Sequence, residues 1–466
     1  MRRVILVFIG VQLVQVLSSM DTTIVATALP TISHDLGGFS RVTWVITAYS
    51  LGLVASMPLW GKLGDLHGRK KALLAAVGIF LVGSMLCGLA QSMNQLLAAR
   101  LLQGLGGGGI GTVSMAVIAD IVPARQIGRW LGYSGVAFAV ASVIGPVVGG
   151  LFVDHLSWRW AFYINVPIGI LGMVMVMLHL RVPYKRLPHA LDWQGSLLLM
   201  GALTSFVVVA TIGGTDFAWT SAKALALIAA VAVFGVLFIA RERQAPEPVL
   251  PLRLFGDGVM RVATLVNLTS GLLFYCGIFF VPLFMQEVHG VSPTSSGLVL
   301  TPLMFGAAFG TTISGRRVER SGRIRTWPIA GSIVMSAGIG LLVTLRADTP
   351  VPAAAAYVLV MGLGIGFVMQ PSLLAAQNSA AANDLGTATS TALLFRMMGS
   401  TIGVPVFGGI LNAGLPDANR TAANFAHALP PVFLAALPVG LVSILIATRL
   451  PERPLRETTH FAEAHV

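Results

Sequence analysis

The sequence predicts an all-α integral membrane protein of fourteen spanning helices: two related six-helix bundles with a two-helix hairpin inserted between them. Three observations carry that expectation. The chain is 55% hydrophobic and only 10% charged over 466 residues, whereas soluble domains are about a quarter charged, and its mean hydropathy is +0.83. Fourteen apolar stretches approach the ~20 residues that cross a bilayer as a helix. A polar motif also recurs at a fixed offset: Gly61, Asp65, Gly68 and Arg69 reappear as Gly315, Glu319, Gly322 and Arg323, each 254 positions later.

The expected spans lie near 4–30, 43–60, 72–91, 96–118, 130–153, 160–180, 193–213, 222–240, 262–286, 296–314, 327–345, 353–377, 388–413 and 430–450. The two motif copies follow the second and tenth spans. They are eight spans apart although each half holds six, so two spans have been inserted. The expected units are a first bundle at 1–190, a hairpin at 191–240, a cytoplasmic linker at 241–261 and a second bundle with a short tail at 262–466. The linker is rich in proline, which blocks a continuous helix. GPVVGG at 145–150 has an echo in VPVFGG at 404–409, again eight spans on. No expected loop exceeds roughly two dozen residues, too few for an independent domain. An ATPase module therefore has no place, and an ion or substrate gradient must supply energy. The opening MRR and apolar run have the look of a secretory signal, but no small-x-small cleavage site follows, so a retained first span is expected.

The net charge of +12 is a topology signal and not a nucleic-acid footprint. With the N-terminus inside, 23 of the 30 Lys and Arg fall on the cytoplasmic side. This positive-inside bias puts both termini in the cytoplasm and makes the span number even. The eight tryptophans fall near span ends, as interfacial anchors do. No metal-ligand spacing occurs, and the nine histidines are scattered. No cofactor and no enzymatic site are expected.

Asp21 is the acid placed clearly inside a span. A charge at membrane depth costs at least ~2.5 kcal/mol, so such residues mark ion or substrate pathways, and desolvation pushes a carboxyl towards physiological titration. Asp21 is the candidate proton carrier, or else a hydrogen-bonding anchor for the first span. Gln12, Gln15, Ser19 and Thr22 form a polar stripe about 120° away on the helical wheel; it lines a cavity or packs against polar neighbours. Arg100, with Gln103 one turn on, needs a partner or a hydrated cavity; it serves coupling or anchors an interface. Arg396 snorkels to the inner surface or lines the cavity. In the repeated motif, Asp65 is expected against the positive N-terminus of the thirteenth span near Gly386, and Arg69 beside Asp120; with Gly61 and Gly68 they would hold the cytoplasmic side closed. Gly145, Pro146, Gly149 and Gly150 combine small residues with a lost backbone donor, which suits a gate or simple close packing. Gly104–Gly109 fits GxGxxG but lies inside an apolar span, so helix packing explains it better than a dinucleotide.

Taken together, these motifs resemble the fourteen-helix drug:proton antiporter family of the major facilitator superfamily, the EmrB/QacA type. DTTIVATALP from Asp21, GKLGDLHGRKK from Gly61, RLLQGLG from Arg100, GPVVGG from Gly145 and WRWAFYINVP from Trp158 carry the resemblance over essentially the whole chain. It implies the major facilitator fold, proton coupling through Asp21 and Arg100, a substrate cavity between the halves and rocker-switch transport. Ala26 replaces the family's usual Asn, Leu66 stands where Arg is common, and spans ten and thirteen lack the acids some relatives carry. The expected activity is export of lipophilic compounds, monocationic ones included, by a monomer in the cell membrane, with protons and a small molecule as partners. An exporter of an endogenous lipid, siderophore or secreted metabolite is the alternative, ahead of a non-transporting sensor or assembly partner.

Overall fold

A computed structural model of the chain describes residues 2–36, 42–122, 124–180, 192–212, 220–246, 248–291, 299–381, 384–415 and 421–455. They are helical almost throughout. In chain order α1 is Arg2–Leu36, α2 Val42–His67, α3 Arg69–Leu89, α4 Met93–Ile121, α5 Ala124–His155, α6 Asn165–His179, α7 Trp193–Ile212 and α8 Ala222–Glu242. After a 3-10 turn at Leu252–Gly256 come α9 Gly258–Glu287, α10 Thr301–Ser321, α11 Thr326–Val343, α12 Val351–Ser379, α13 Leu385–Gly414 and α14 Ala422–Ala447. Eleven spans among the described residues are long and apolar enough to cross a membrane. The chain is a multi-pass membrane protein.

Local chemistry sets the helix ends. Ser92, Ser221, Asp257 and Thr421 each accept a backbone N–H at the start of α4, α8, α9 and α14, satisfying donors that lack an intrahelical partner. The motif stretch expected as a loop is instead almost all helix: α2 runs through Gly61 and Asp65 to His67, and only Gly68 separates it from α3. Gly68 has φ 90°, backbone that glycine enters without a Cβ penalty. The sixth expected span is present as one stretch from Trp160 to His179, and Ile164 within it keeps a helical φ of −58° and ψ of −26°. A turn at Trp160–Tyr163 precedes α6, which starts at Asn165. The last helix begins at Ala422 rather than near 430, because Thr421 caps it and Pro430 and Pro431 are accommodated within it.

In the first half α4 packs on α2 and α3, and α1 on α5 and α6; in the second, α12 packs on α10 and α11, and α9 on α13 and α14. The halves meet where α5 lies on α10 and α2 on α13. Glycines make both arrangements possible. A Cβ on Gly104 or Gly108 would strike the Tyr49 or Leu53 carbonyl of α2, and one on Gly106 the Phe80 amide of α3. The second half repeats this 258 positions later: Gly362 and Gly366 face Leu303 and Ala307 of α10, and Gly364 faces Met335 of α11. Backbones approach as closely as small residues allow.

α7 and α8 pack on each other, and α7 also touches α2 and α13. At their shared end Arg241 Nε donates to Asp192 Oδ2 at 2.9 Å, while Glu242 accepts the Val249 and Leu250 amides. Burial pushes the Asp192 carboxyl up, but Arg241 and the Gly195 amide outweigh it and hold it below the usual carboxylate range. The boundary expected near 190 falls outside the described residues. The tryptophans are not all anchors. Trp158 is buried with its indole N–H on Asp35, Trp60 donates to the Leu105 carbonyl at 2.7 Å, and Trp130 is buried against Phe8.

Candidate functional site

Two polar features lie on opposite faces of α1. One is buried. Asp21 has no exposed surface, and Arg100 and Gln103 of α4 and Asn165 of α6 are equally enclosed. The Arg100 Nη1 lies 2.5 Å from Asp21 Oδ2. Gln103 Nε2 and Asn165 Nδ2 each donate to Asp21 Oδ1 at 2.8 Å. The guanidinium is held in turn: Nε donates to the Val45 carbonyl at 3.2 Å, Nη1 to Gln103 Oε1 at 2.8 Å, and the Tyr49 ring centroid lies 4.3 Å from Cζ. Asn165 also donates to Ser84 Oγ, which donates to the Phe162 carbonyl. Packing of α6 on α1 and α3 sets Asn165 where it meets both Asp21 and Ser84.

Such a pair is tolerable in a low dielectric only because every charge is hydrogen-bonded. It also makes protonation consequential. Neutralising Asp21 would leave a guanidinium, which does not deprotonate, facing a carboxylic acid, so the site must rearrange or gain another negative charge.

The other feature is a cavity of about 280 Å³ with walls from both halves. Gln12, Gln15, Ser18 and Ser19 of α1 line one side; Phe274, Tyr275, Met369, Gln370, Arg396 and Met397 contribute opposite walls. Ser18 connects the two features, because its hydroxyl lies 2.9 Å from the Tyr49 hydroxyl and the same Tyr49 ring covers Arg100. One bridging residue thus joins the cavity to the buried pair.

Gln12, Gln15, Ser19 and Arg396 therefore face the cavity. Thr22 does not: it is exposed, and its hydroxyl donates to the Ser19 carbonyl at 2.8 Å, since the stripe rotates off the cavity by that turn. Gln103 does not line it either, because its amide is committed to Asp21 and Arg100. Asn165, Tyr49 and Ser84 were not anticipated. Asn165 sits inside a motif quoted only for its resemblance.

A cluster of charged residues joins the two halves at one end of the molecule. Asp65 Oδ1 accepts the Gly386 amide at 3.0 Å, and Oδ2 accepts the Thr387 amide and hydroxyl at 2.9 and 2.7 Å. The carboxylate thereby caps α13 from the other half and meets its positive end. Arg69 Nη1 lies 2.5 Å from Asp65 Oδ1, and its Nε donates to Asp120 Oδ2 at 3.1 Å. Gly61 allows this approach, since a Cβ there would sit 2.7 Å from the Gly386 carbonyl. The second motif copy is more open, with Arg323 exposed.

On α5, Gly145 abuts Thr23 of α1, with no space for a Cβ. Gly150 faces open space, so packing does not require it. Gly149 is buried, and the Pro146 side chain lies outside the described residues. Among the described residues no group of three or more His, Cys, Asp or Glu could hold a metal.

Comparison with known proteins agrees with this architecture. The sequence model of the Major Facilitator Superfamily matches residues 12–404. The multidrug transporter protein MdtP of Bacillus subtilis is 38% identical over 88% of this chain and 75% of its own length. Multidrug resistance protein 3 of the same organism is 35% identical, over 87% and 79%. In three dimensions the chain is similar to the human organic anion transporter MFSD10, with TM-score 0.69 and 16% identity, covering 96% of this chain and 99% of that one. It also aligns with the proton:xylose symporter XylE, with TM-score 0.66 and 14% identity over 99% and 98%; both likenesses concern the fold. The chain belongs to the Major Facilitator Superfamily: it is a membrane transporter and not an enzyme, and it works without a cofactor.

Proposed function

We propose that this transporter is a proton-coupled antiporter that exports lipophilic small molecules from the cell. The multidrug transport and multidrug resistance in the names of its relatives MdtP and multidrug resistance protein 3 support the drug-efflux part of that reading. The observation that carries the reading is the fully buried Asp21–Arg100 pair standing one helix behind a cavity shared by both halves. In this reading fourteen helices span the cell membrane, α7 and α8 form an added hairpin, both termini are cytoplasmic, and a monomer suffices. The units are the first bundle at 1–190, the hairpin at 191–240, the linker at 241–261 and the second bundle at 262–466.

Asp21 takes a proton from the outer side, and its attraction for Arg100 falls. The freed guanidinium pulls on Tyr49 and, through the Ser18 hydroxyl, on the cavity wall. Substrate arriving from the cytoplasm reverses the sequence and releases the proton inward. The Asp65–Arg69–Asp120 latch belongs to the cytoplasmic side and is closed here; it must part for the halves to rock. Gly145 sets the contact of α5 with α1 about which the outer side opens, with Pro146, Gly149 and Gly150 beside it. One proton moving inward yields ~2.3 kcal/mol per 100 mV, about a fiftyfold gradient of a neutral compound.

The test is transport by the purified chain in liposomes under an imposed pH gradient. A lipophilic dye should move against its gradient in the wild type, and Asp21→Asn should retain dye exchange while losing the pH-driven component. Unaltered pH-driven movement in Asp21→Asn would sink the proposal.

A further inference from the structure

The cavity holds an unmatched positive charge. Arg396 is the charged side chain in its lining, and no Asp or Glu joins it there among the described residues. Asp21 cannot serve as its counter-ion, because it lies behind α1, has no exposed surface and is committed to Arg100. Arg396 has no hydrogen-bonded or ion-pair partner among the described residues. Its neighbour is Tyr275, which stacks on Phe279 and meets Phe274 edge-on.

Its position is fixed by the backbone. Gly271 of α9 lies directly under the Arg396 carbonyl, and Gly399, less than one turn on, lies under that of Leu268. The guanidinium is therefore presented from a rigid helix and does not lose its charge. Two further groups in the same lining lack partners: Gln12 Nε2, a donor on a side chain 8% exposed, and Gln370 Oε1, an acceptor. Buried polar atoms in native proteins are ordinarily paired, so these atoms point to a ligand. Met304, Met369, Met397 and the aromatic pair Phe274 and Tyr275 add adaptable apolar surface to the lining.

We infer that the preferred substrate is a lipophilic anion: an apolar, aromatic-bearing body with a carboxylate, sulfonate or similar group that pairs with Arg396 and accepts from Gln12. This rests on the export reading above and narrows its lipophilic substrates to anions. The chemistry is direct. An oxyanion gives the guanidinium the bidentate partner for which its fork is shaped, and a cation would bring like charge into a low-dielectric space. Release is favoured too, because an interior-negative potential drives an anion outward.

Three fluorescent probes with one pyrene skeleton test this: pyrenebutyrate, its methyl ester and the corresponding primary amine. Binding to the full chain in nanodiscs of neutral lipid is measured by titration, alongside Arg396→Gln and Arg396→Lys. The wild type should bind the carboxylate at least tenfold more tightly than the amine, with the ester between. Arg396→Gln should weaken the carboxylate about tenfold and the ester less than threefold, and Arg396→Lys should recover part of the loss. Equal or tighter binding of the amine by the wild type overturns the inference, and this arm needs no variant to fold. So does undiminished carboxylate binding by a folded Arg396→Gln. Liposome transport of the same probes separates the two readings. Ester driven by a pH gradient without carboxylate preference leaves export standing and removes the anion inference. Arg396-dependent carboxylate binding with no pH-driven movement of any probe does the reverse.

Discussion

The two halves share a skeleton and differ in what they bury at equivalent places. Gly104, Gly106 and Gly108 correspond to Gly362, Gly364 and Gly366, and each set clamps its neighbours in the same way. The same 258-residue offset carries Arg100 and Gln103 to Val358 and Met361, both fully buried. Where Gln103 donates to Asp21 of α1, Met361 rests its sulfur and methyl on Gly277 of α9. A charged centre is thus no requirement of the fold, since the second half packs without one. Polar residues buried at such cost in one half call for a functional account, and the proposed proton coupling would supply it. The second half contributes Arg396 to the cavity instead.

The largest effect should come from making the first half resemble the second. Arg100→Val alone strands Asp21 without its cation, and loss of one partner of a buried pair costs about 3–5 kcal/mol. The melting temperature in detergent should fall sharply, with little folded protein recovered. The triple change Asp21→Leu, Arg100→Val and Gln103→Met should recover much of that stability, because apolar replacement of a buried ion pair is often neutral, while proton-driven transport stays absent. If the triple variant melts no higher than Arg100→Val, the pair is structural and the comparison fails.

The shared skeleton makes a second, smaller claim. Gly104→Ala and Gly362→Ala should each destabilise by about 1–3 kcal/mol, the usual cost of overpacking, and by similar amounts, since each Cβ meets a carbonyl of the neighbouring helix. Gly111→Ala in the same α4 is the control: nothing lies within 4 Å of its Cβ. Melting curves of the three variants decide it. A costly Gly111→Ala or an innocuous Gly362→Ala would show that packing is not what these glycines serve.

How much of this could be read from residues alone depended on whether the signal was local. Span periodicity, the motif repeat and a lone acid in an apolar run are all local, so Asp21 and the two-half plan were visible. The partners of Asp65 were also anticipated, because a carboxylate and a helix start on one side have few other places to go. Asn165 was not, since only the packing of α6 on α1 turns it towards Asp21. The helical wheel separated Asp21 from Gln12 and Gln15, and the structure supplies the reason: α1 faces the cavity on one side and α4 with α6 on the other. Arg396 could not be assigned beforehand, because snorkelling and cavity lining differ by a side-chain direction that neighbouring helices decide.

The two motif copies give a third contrast. Asp65 is buried against the start of α13, while its counterpart Glu319 is half-buried. Asp65→Asn keeps one acceptor oxygen and turns the other into an amide donor facing a backbone N–H. It also removes the charge that meets the helix dipole, the dipole part alone being roughly 1–2 kcal/mol in a partly buried setting. The closed side should open more often, measured as faster labelling of a cysteine introduced at Ser390, beneath Gly61. Glu319→Gln should change that rate by much less. Equal acceleration by both variants would make the latch a property of both copies.

The smallest effect lies in the hairpin, which belongs to neither half. Asp192→Asn removes the pair with Arg241, whose side chain is 35% exposed, so solvent screening limits the loss to about 0.5 kcal/mol. Because its folded carboxyl is held below the ordinary value, Asp192 contributes stability above the unfolded pKa of about 3.9, and that contribution is lost as pH falls through the lowered folded value. Wild type should therefore melt slightly above Asp192→Asn at pH 7, and the gap should close below about pH 4. Transport should be unchanged at neutral pH, since nothing in the hairpin reaches Asp21 or lines the cavity among the described residues. A coupling defect in Asp192→Asn would tie the hairpin to the transport cycle and make three moving parts out of two.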